Sequence, residues 1–119
     1  SASVVVGVRV LEQFQVTYDL GGKQLVLVNS APKCKAALAA RTREMAHEFG
    51  PLGVRVSAIA PGEVETAILS PGTDKIVEKL PMQRLGQPKE VADVIWFLCS
   101  DQSSYISGAE IEVNGAQHV

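Results

Sequence analysis

Three consecutive pieces decide the fold: Gln24-Leu25-Val26-Leu27-Val28, then Lys35 through Phe49, then Val54-Arg55-Val56-Ser57-Ala58-Ile59-Ala60 closing on Pro61-Gly62. The first is a short, nearly unbroken apolar run, the pattern of a strand covered on both faces. In the second, Leu38, Thr42, Met45 and Phe49 recur at helical spacing, and Ala36 and Ala40 form a second, small-residue stripe. Gly50, Pro51 and Gly53 stop that helix. The third piece is apolar and β-rich, and it ends where proline and glycine cannot continue a ladder. Strand, helix and strand joined by short connections predict a βαβ unit with parallel neighbouring strands and a right-handed crossover.

Outward from this unit, the first twenty residues place Gly7, Leu11, Phe14 and Tyr18 at spacings of one helical face, which predicts a helix over roughly 7–20. The β-branched Val4-Val5-Val6 argues that it starts later or frays, and Gly21-Gly22 reads as its stop. Beyond Gly62, the stretch from Glu63 to Gln87 is irregular or weakly helical, broken by Pro71-Gly72, Pro81 and Gly86. Pro88 suits the first turn of another helix, whose apolar stripe is Val91, Val94, Ile95 and Leu98. Ala109-Glu110-Ile111-Glu112-Val113 alternates, predicting a last strand with one dry face. Tyr105 is expected to pack between that helix and strand, and Cys99 to be a small buried hydrophobe.

Composition narrows the classes. The chain has 119 residues, 46% of them hydrophobic, and a net charge of -2. Eleven basic residues against thirteen acidic ones, with no basic run, exclude a nucleic-acid partner on charge grounds. No apolar stretch approaches the roughly 20 residues needed to cross a bilayer, and the start lacks a basic segment before its apolar residues, so a signal peptide is not expected. Cys34 and Cys99 are too few and too separated for a disulfide scaffold or zinc site, and His47 and His118 have no partners at metal-ligand spacing. The expectation is a cytoplasmic protein with reduced thiols and no bound metal. With no repeats, linkers or low-complexity tracts, residues 1–119 read as a single domain.

From Lys35 onward the order of motifs resembles the short-chain dehydrogenase/reductase family. Lys35-Ala36-Ala37-Leu38 is similar to the family's catalytic lysine opening its long helix. Gly53 through Gly62 is similar to the strand leading into its Pro-Gly turn, with Ser57 where the family usually has Asn. Pro81-Met82-Gln83-Arg84-Leu85-Gly86-Gln87-Pro88, Phe97-Leu98-Cys99-Ser100-Asp101 and Ser104-Tyr105-Ile106-Ser107-Gly108 continue the match. Val113-Asn114-Gly115-Ala116 then stands where the family usually has a Gly-Gly pair. More loosely, Gly22 through Ser30 resembles the strand ending at the catalytic serine.

The resemblance implies an α/β fold: a partial Rossmann-like parallel sheet with flanking helices, the C-terminal half of a short-chain dehydrogenase. It implies NAD or NADP as cofactor, a small-molecule alcohol or ketone as substrate, and a homo-oligomer, dimer or tetramer. Residue by residue, Ser30 matches the serine that hydrogen-bonds the substrate oxygen, and Lys35 the lysine that supplies positive charge and holds the nicotinamide ribose. Pro61, Gly62, Val64 and Thr66 match the segment beside the nicotinamide. Read without the resemblance, Ser30 is also a good turn or N-cap residue, Lys35 a solvated helix start, Pro61-Gly62 an ordinary turn, and Glu63 and Glu65 solvated loop charges.

Two parts of the family's chemistry have no counterpart. Its general acid is a tyrosine four residues before the lysine, a phenol whose ordinary pKa of about 10 needs a neighbouring cation to work near neutrality. Here that position is Ala31, and neither Tyr18 nor Tyr105 has a lysine four residues on. Ser30 and Lys35 are also closer in sequence than the family pattern, as if a segment carrying the tyrosine were missing. The family's active-site Asn falls near Val4 and is absent. Phosphate binding on this fold uses a glycine-rich turn between a strand and a helix, and none of the ten glycines here makes a Gly-x-Gly pair. Three readings follow: an incomplete or inactive dehydrogenase domain, a non-catalytic oligomerisation module, or one chain of a split enzyme.

Overall fold

The computed structural model describes residues 5–10, 14–19, 23–29, 35–65 and 71–117. They form a five-stranded sheet in the order β1 (Val5–Val10), β2 (Phe14–Asp19), β3 (Gln24–Asn29), β4 (Arg55–Pro61) and β5 (Glu110–Val113). Helix α1 (Lys35–Phe49) joins β3 to β4, a short helix α2 (Thr73–Val77) follows β4, and α3 (Pro88–Cys99) precedes β5. Single 3-10 turns cover Gly50–Leu52 and Asp101–Ser103.

The parallel unit stands as expected. β3 pairs parallel with β4, Val26 opposite Ser57 and Val28 opposite Ile59, and β4 pairs parallel with β5, Ile59 opposite Ile111. Leu25, Val26, Leu27 and Val28 are all buried, as a strand covered on both faces requires. Because side chains alternate across a strand, Leu25, Leu27, Val56 and Ala58 pack with Leu38 under α1, while Val26, Val28 and Ile59 pack with Leu98 under α3. Thr42 is the polar member of the α1 stripe. It is fully buried, and its hydroxyl donates to the Leu38 carbonyl at 2.7 Å, so its burial leaves no donor unpaired. Ile111 packs inward on β5 and Glu112 is exposed, the expected dry and wet faces.

The helix expected over 7–20 is corrected. Residues 7–10 and 14–19 belong to β1 and β2, an antiparallel pair with Val8 opposite Val16, and β2 continues antiparallel onto β3 with Asp19 opposite Gln24. The spacing of Gly7, Phe14 and Tyr18 mimics a helical face, but the segment is rich in β-branched residues, and the open edge of β3 offers a full ladder of unpaired main-chain groups. Pairing there wins over an isolated amphipathic helix. The edge of β3 is therefore covered, and β1 and β5 form the edges of the sheet. Gly21, Gly22 and Cys34 lie outside the described residues.

Tyr105 is a second correction: it is 92% exposed and does not pack between α3 and β5. Ile106, the next residue, packs instead against the buried cluster of Val26, Val28, Ile59 and Leu98. Cys99 is partly buried against the same cluster.

Candidate functional site

β3, β4 and β5 run parallel, so their carboxyl ends lie at one edge of the sheet, the edge where open α/β sheets bind ligands. Pro61, the last residue of β4, pairs with Val113 of β5. Lys35 is the first residue of α1, which leaves β3 from the same edge. Ser30 and Thr66 lie outside the described residues, as does the Lys35 side chain. Of the six residues singled out in the sequence, Pro61, Gly62 and Val64 can therefore be placed in detail.

Gly62 is held from within the protein. Its N–H donates to the Val113 carbonyl at 3.1 Å, and the next amide, Glu63, donates to Gln117 Oε1 at 3.3 Å. A Cβ at Gly62 would lie 2.6 Å from Asn114 Cβ and 2.9 Å from its Cα, closer than packed atoms approach. The absence of a side chain at 62 is thus required by the turn that follows β5.

Val64 forms a parallel bridge with Gly86. The bonds are Glu65 N–H to the Gly86 carbonyl at 2.8 Å and Gly86 N–H to the Glu63 carbonyl at 2.9 Å. They involve the residues flanking Val64, so the N–H and carbonyl of Val64 itself point away from the Gly86 loop. The side-chain amide of Gln87 donates to the Glu65 carboxylate beside it.

Beside this segment, Val64, Leu80, Met82, Val91 and Val113 line a cleft of about 250 Å³ whose rim carries Glu63, Arg84, Glu90 and Glu112. Arg84 and Glu90 form a two-point ion pair, Nη1 to Oε2 at 2.9 Å and Nη2 to Oε1 at 2.8 Å. The Gln87 N–H donates to Glu90 Oε2 at 2.8 Å, which serves an otherwise unpaired amide at the start of α3. The Arg84 hydrogen bond first, then the Gln87 amide, lower the Glu90 carboxyl to about 2; desolvation opposes them and the Arg84 charge adds to them. The Arg84 guanidinium is raised by the same partner. His47 is exposed, and no group of three or more potential metal ligands exists among the described residues.

Three further residues order the structure around β4 without announcing themselves in the sequence. Arg55, at the opposite edge, reaches from the start of β4 to the end of α3, while at the site edge Asn114 and Gln117 close over Gly62. The only sequence signal for the last two is Ala116 standing in place of a family glycine: its φ is 66°, the left-handed conformation that glycine adopts freely.

Comparison with known proteins settles the lineage. The family described as enoyl-(acyl carrier protein) reductase matches residues 15–118. The structure superposes on a short chain dehydrogenase from Bacillus anthracis with a TM-score of 0.65 at 38% identity, covering 73% of this protein and 36% of that one. The chain belongs to the short-chain dehydrogenase/reductase family. Protein FixR of Bradyrhizobium diazoefficiens is 56% identical over 86 residues, 71% of this protein and 31% of FixR. The 3-oxoacyl-[acyl-carrier-protein] reductase FabG of Aquifex aeolicus is 47% identical over 85 residues, 68% of this protein and 34% of FabG. A 3-oxoacyl-[acyl-carrier protein] reductase from Brucella melitensis, solved with bound NAD, is 40% identical with a TM-score of 0.65, covering 73% of this protein and 32% of that one. The sequence thus spans about a third of the length of the short-chain dehydrogenase/reductase proteins it matches.

Proposed function

We propose that these residues form the nicotinamide-facing side of an NAD(P)(H)-dependent alcohol dehydrogenase or ketoreductase, within one Rossmann-like domain, and that as they stand they hold nicotinamide without turning over substrate. The observation that carries this reading is the Pro61–Val64 segment at the carboxyl edge of β4, next to the end of β3. Its fit to nicotinamide is specific. The ring's carboxamide offers one donor and one acceptor group, and Val64 offers a backbone carbonyl and N–H turned away from the Gly86 bridge.

In this reading Thr66 adds a hydroxyl to the same carboxamide, Lys35 holds the ribose and lends positive charge, and Ser30 donates to the substrate oxygen. When bound, the dinucleotide supplies or accepts the hydride. The protein's part would be orientation and movement of one proton, and Ala31 has no proton to give. The glycine-rich phosphate cradle is likewise not encoded in these 119 residues. The substrate class is a small alcohol or ketone, in keeping with relatives named as 3-oxoacyl-[acyl-carrier-protein] reductases and cyclohexanol dehydrogenase. The reading includes a cytoplasmic protein that self-associates. Self-association is supported by the exposed α1 face at Ala37, Ala40 and Glu44 and by the 71% exposed Trp96; among the described residues no helix is long and apolar enough to cross a membrane.

The test uses protein whose intact mass is 12.7 kDa. Nicotinamide mononucleotide is expected to shift the backbone resonances of residues 62–66, while NADH or NADPH with a panel of ketones gives no oxidation of the reduced cofactor. Turnover by this protein alone overturns the predicted inactivity. Absence of any shift at 62–66 overturns the nicotinamide reading.

A further inference from the structure

Residues Asn114–Gln117 form a turn with two consecutive left-handed residues, Gly115 at φ 58° and Ala116 at φ 66°, closed by Gln117 N–H to the Asn114 carbonyl at 3.1 Å. That is the geometry of a type I′ turn, which asks for glycine or asparagine at its centre. Alanine adopts it only where the surroundings over-determine the conformation. The surroundings do so here. Asn114 Oδ1 accepts the Ala116 N–H at 3.0 Å, and Asn114 Nδ2 donates to Glu112 Oε2 at 2.8 Å. On the other side, Gln117 Oε1 accepts the Glu63 N–H, and Asn114 fills the space beside Gly62.

We infer that this turn is a clasp, with Gln117 as a positioning residue that fixes the Gly62–Val64 backbone in the orientation the nicotinamide carboxamide meets. The inference rests on the nicotinamide reading above. Gln117 touches no reacting group itself; it acts through the Glu63 amide. The segment's backbone is thereby pinned at both ends, by Gln117 at the Glu63 N–H and by the Gly86 carbonyl at the Glu65 N–H. Val64 stands between the two pins, its own N–H and carbonyl free of the Gly86 bridge. Loosening one pin lowers the population of the binding-competent backbone and so weakens apparent affinity without removing any ligand contact.

The test compares the unaltered protein with Gln117→Leu and Gln117→Glu, the latter keeping an acceptor oxygen at the same reach. Two readouts are taken: amide hydrogen exchange at Glu63 and Val64, and titration with nicotinamide mononucleotide. In Gln117→Leu, exchange at Glu63 rises about tenfold while Val26 and Leu27 in β3 stay unchanged. Mononucleotide affinity falls about tenfold. Gln117→Glu restores both. Unchanged exchange in Gln117→Leu overturns the clasp. Raised exchange with unchanged affinity overturns the positioning role. If the unaltered protein shows no mononucleotide shift at all, the nicotinamide reading fails and the positioning role goes with it, a result distinct from failure of the clasp, which exchange reports separately.

Discussion

Nη2 of Arg55 lies 3.1 Å from the backbone oxygen of Leu98, placing a β4 cation at the carboxyl end of α3. Its other nitrogen donates to the Ser103 carbonyl at 2.8 Å, the Ser103 hydroxyl at 3.1 Å and the Ile106 carbonyl at 3.2 Å. One guanidinium thus serves the helix-end carbonyls and the turn leading into β5, where the helix dipole favours positive charge. Lysine has the charge but not the fork. Arg55→Met is expected to cost about 2–3 kcal/mol by leaving partly buried acceptors unpaired, and Arg55→Lys to recover only part of it. Urea unfolding followed through Trp96 measures both; equal midpoints for all three proteins would refute the assignment.

Glu90 gives a pH signature. Its carboxyl is lowered from 4.5 to about 2 in the folded protein, so the unfolded state binds the extra proton and stability rises with pH between those values. The contribution is complete above the ordinary carboxylate pKa and is lost as the pH falls through the folded value. Both partners are close to half exposed, so solvent and salt screen the pair and the effect on stability is small. Glu90→Gln is expected to be less stable than the parent above pH about 4.5 and to converge with it by about 2. Unfolding midpoints that run parallel at every pH would contradict this.

The strained alanine offers a gain. Ala116→Gly keeps the φ of 66° without the Cβ clash and is expected to stabilise the protein by about 0.5–1 kcal/mol, even though glycine loses more entropy on folding. Thermal unfolding checks the sign. A loss of stability would mean that the turn is not held in this conformation in solution.

Gly62→Ala tests the opposite case. Its new methyl would meet both Cβ and Cα of Asn114, so a side-chain rotation cannot relieve the overlap. The expected cost is about 1–3 kcal/mol. Weakened protection of the Glu63 amide should accompany it, and a neutral effect on both would remove the packing argument for this glycine.

How much the sequence reveals varies with how local the deciding forces are. The β3–α1–β4 unit is legible because Leu25 to Val28 and the Leu38–Phe49 stripe each state their own periodicity. The β1–β2 pair reads wrongly as a helix because Phe14 and Tyr18 satisfy a helical spacing as well as an extended one, and the choice depends on the distant ladder of β3. Val64 stands out by motif, but its orientation depends on Gly86, far along the sequence. The Gln117 clasp is invisible in the sequence because it exists only once β4 and β5 are in register, with Pro61 opposite Val113. Arg55 looks like one polar residue in an apolar strand; its partners lie more than forty residues away.

The most direct test of the central claim is a titration of the 12.7 kDa protein with nicotinamide mononucleotide, followed at the backbone amides. Shifts concentrated on Gly62, Glu63 and Val64, with no oxidation of NADH or NADPH in the presence of ketones, are the predicted result. Shifts absent from that segment, or turnover by this protein alone, would contradict it.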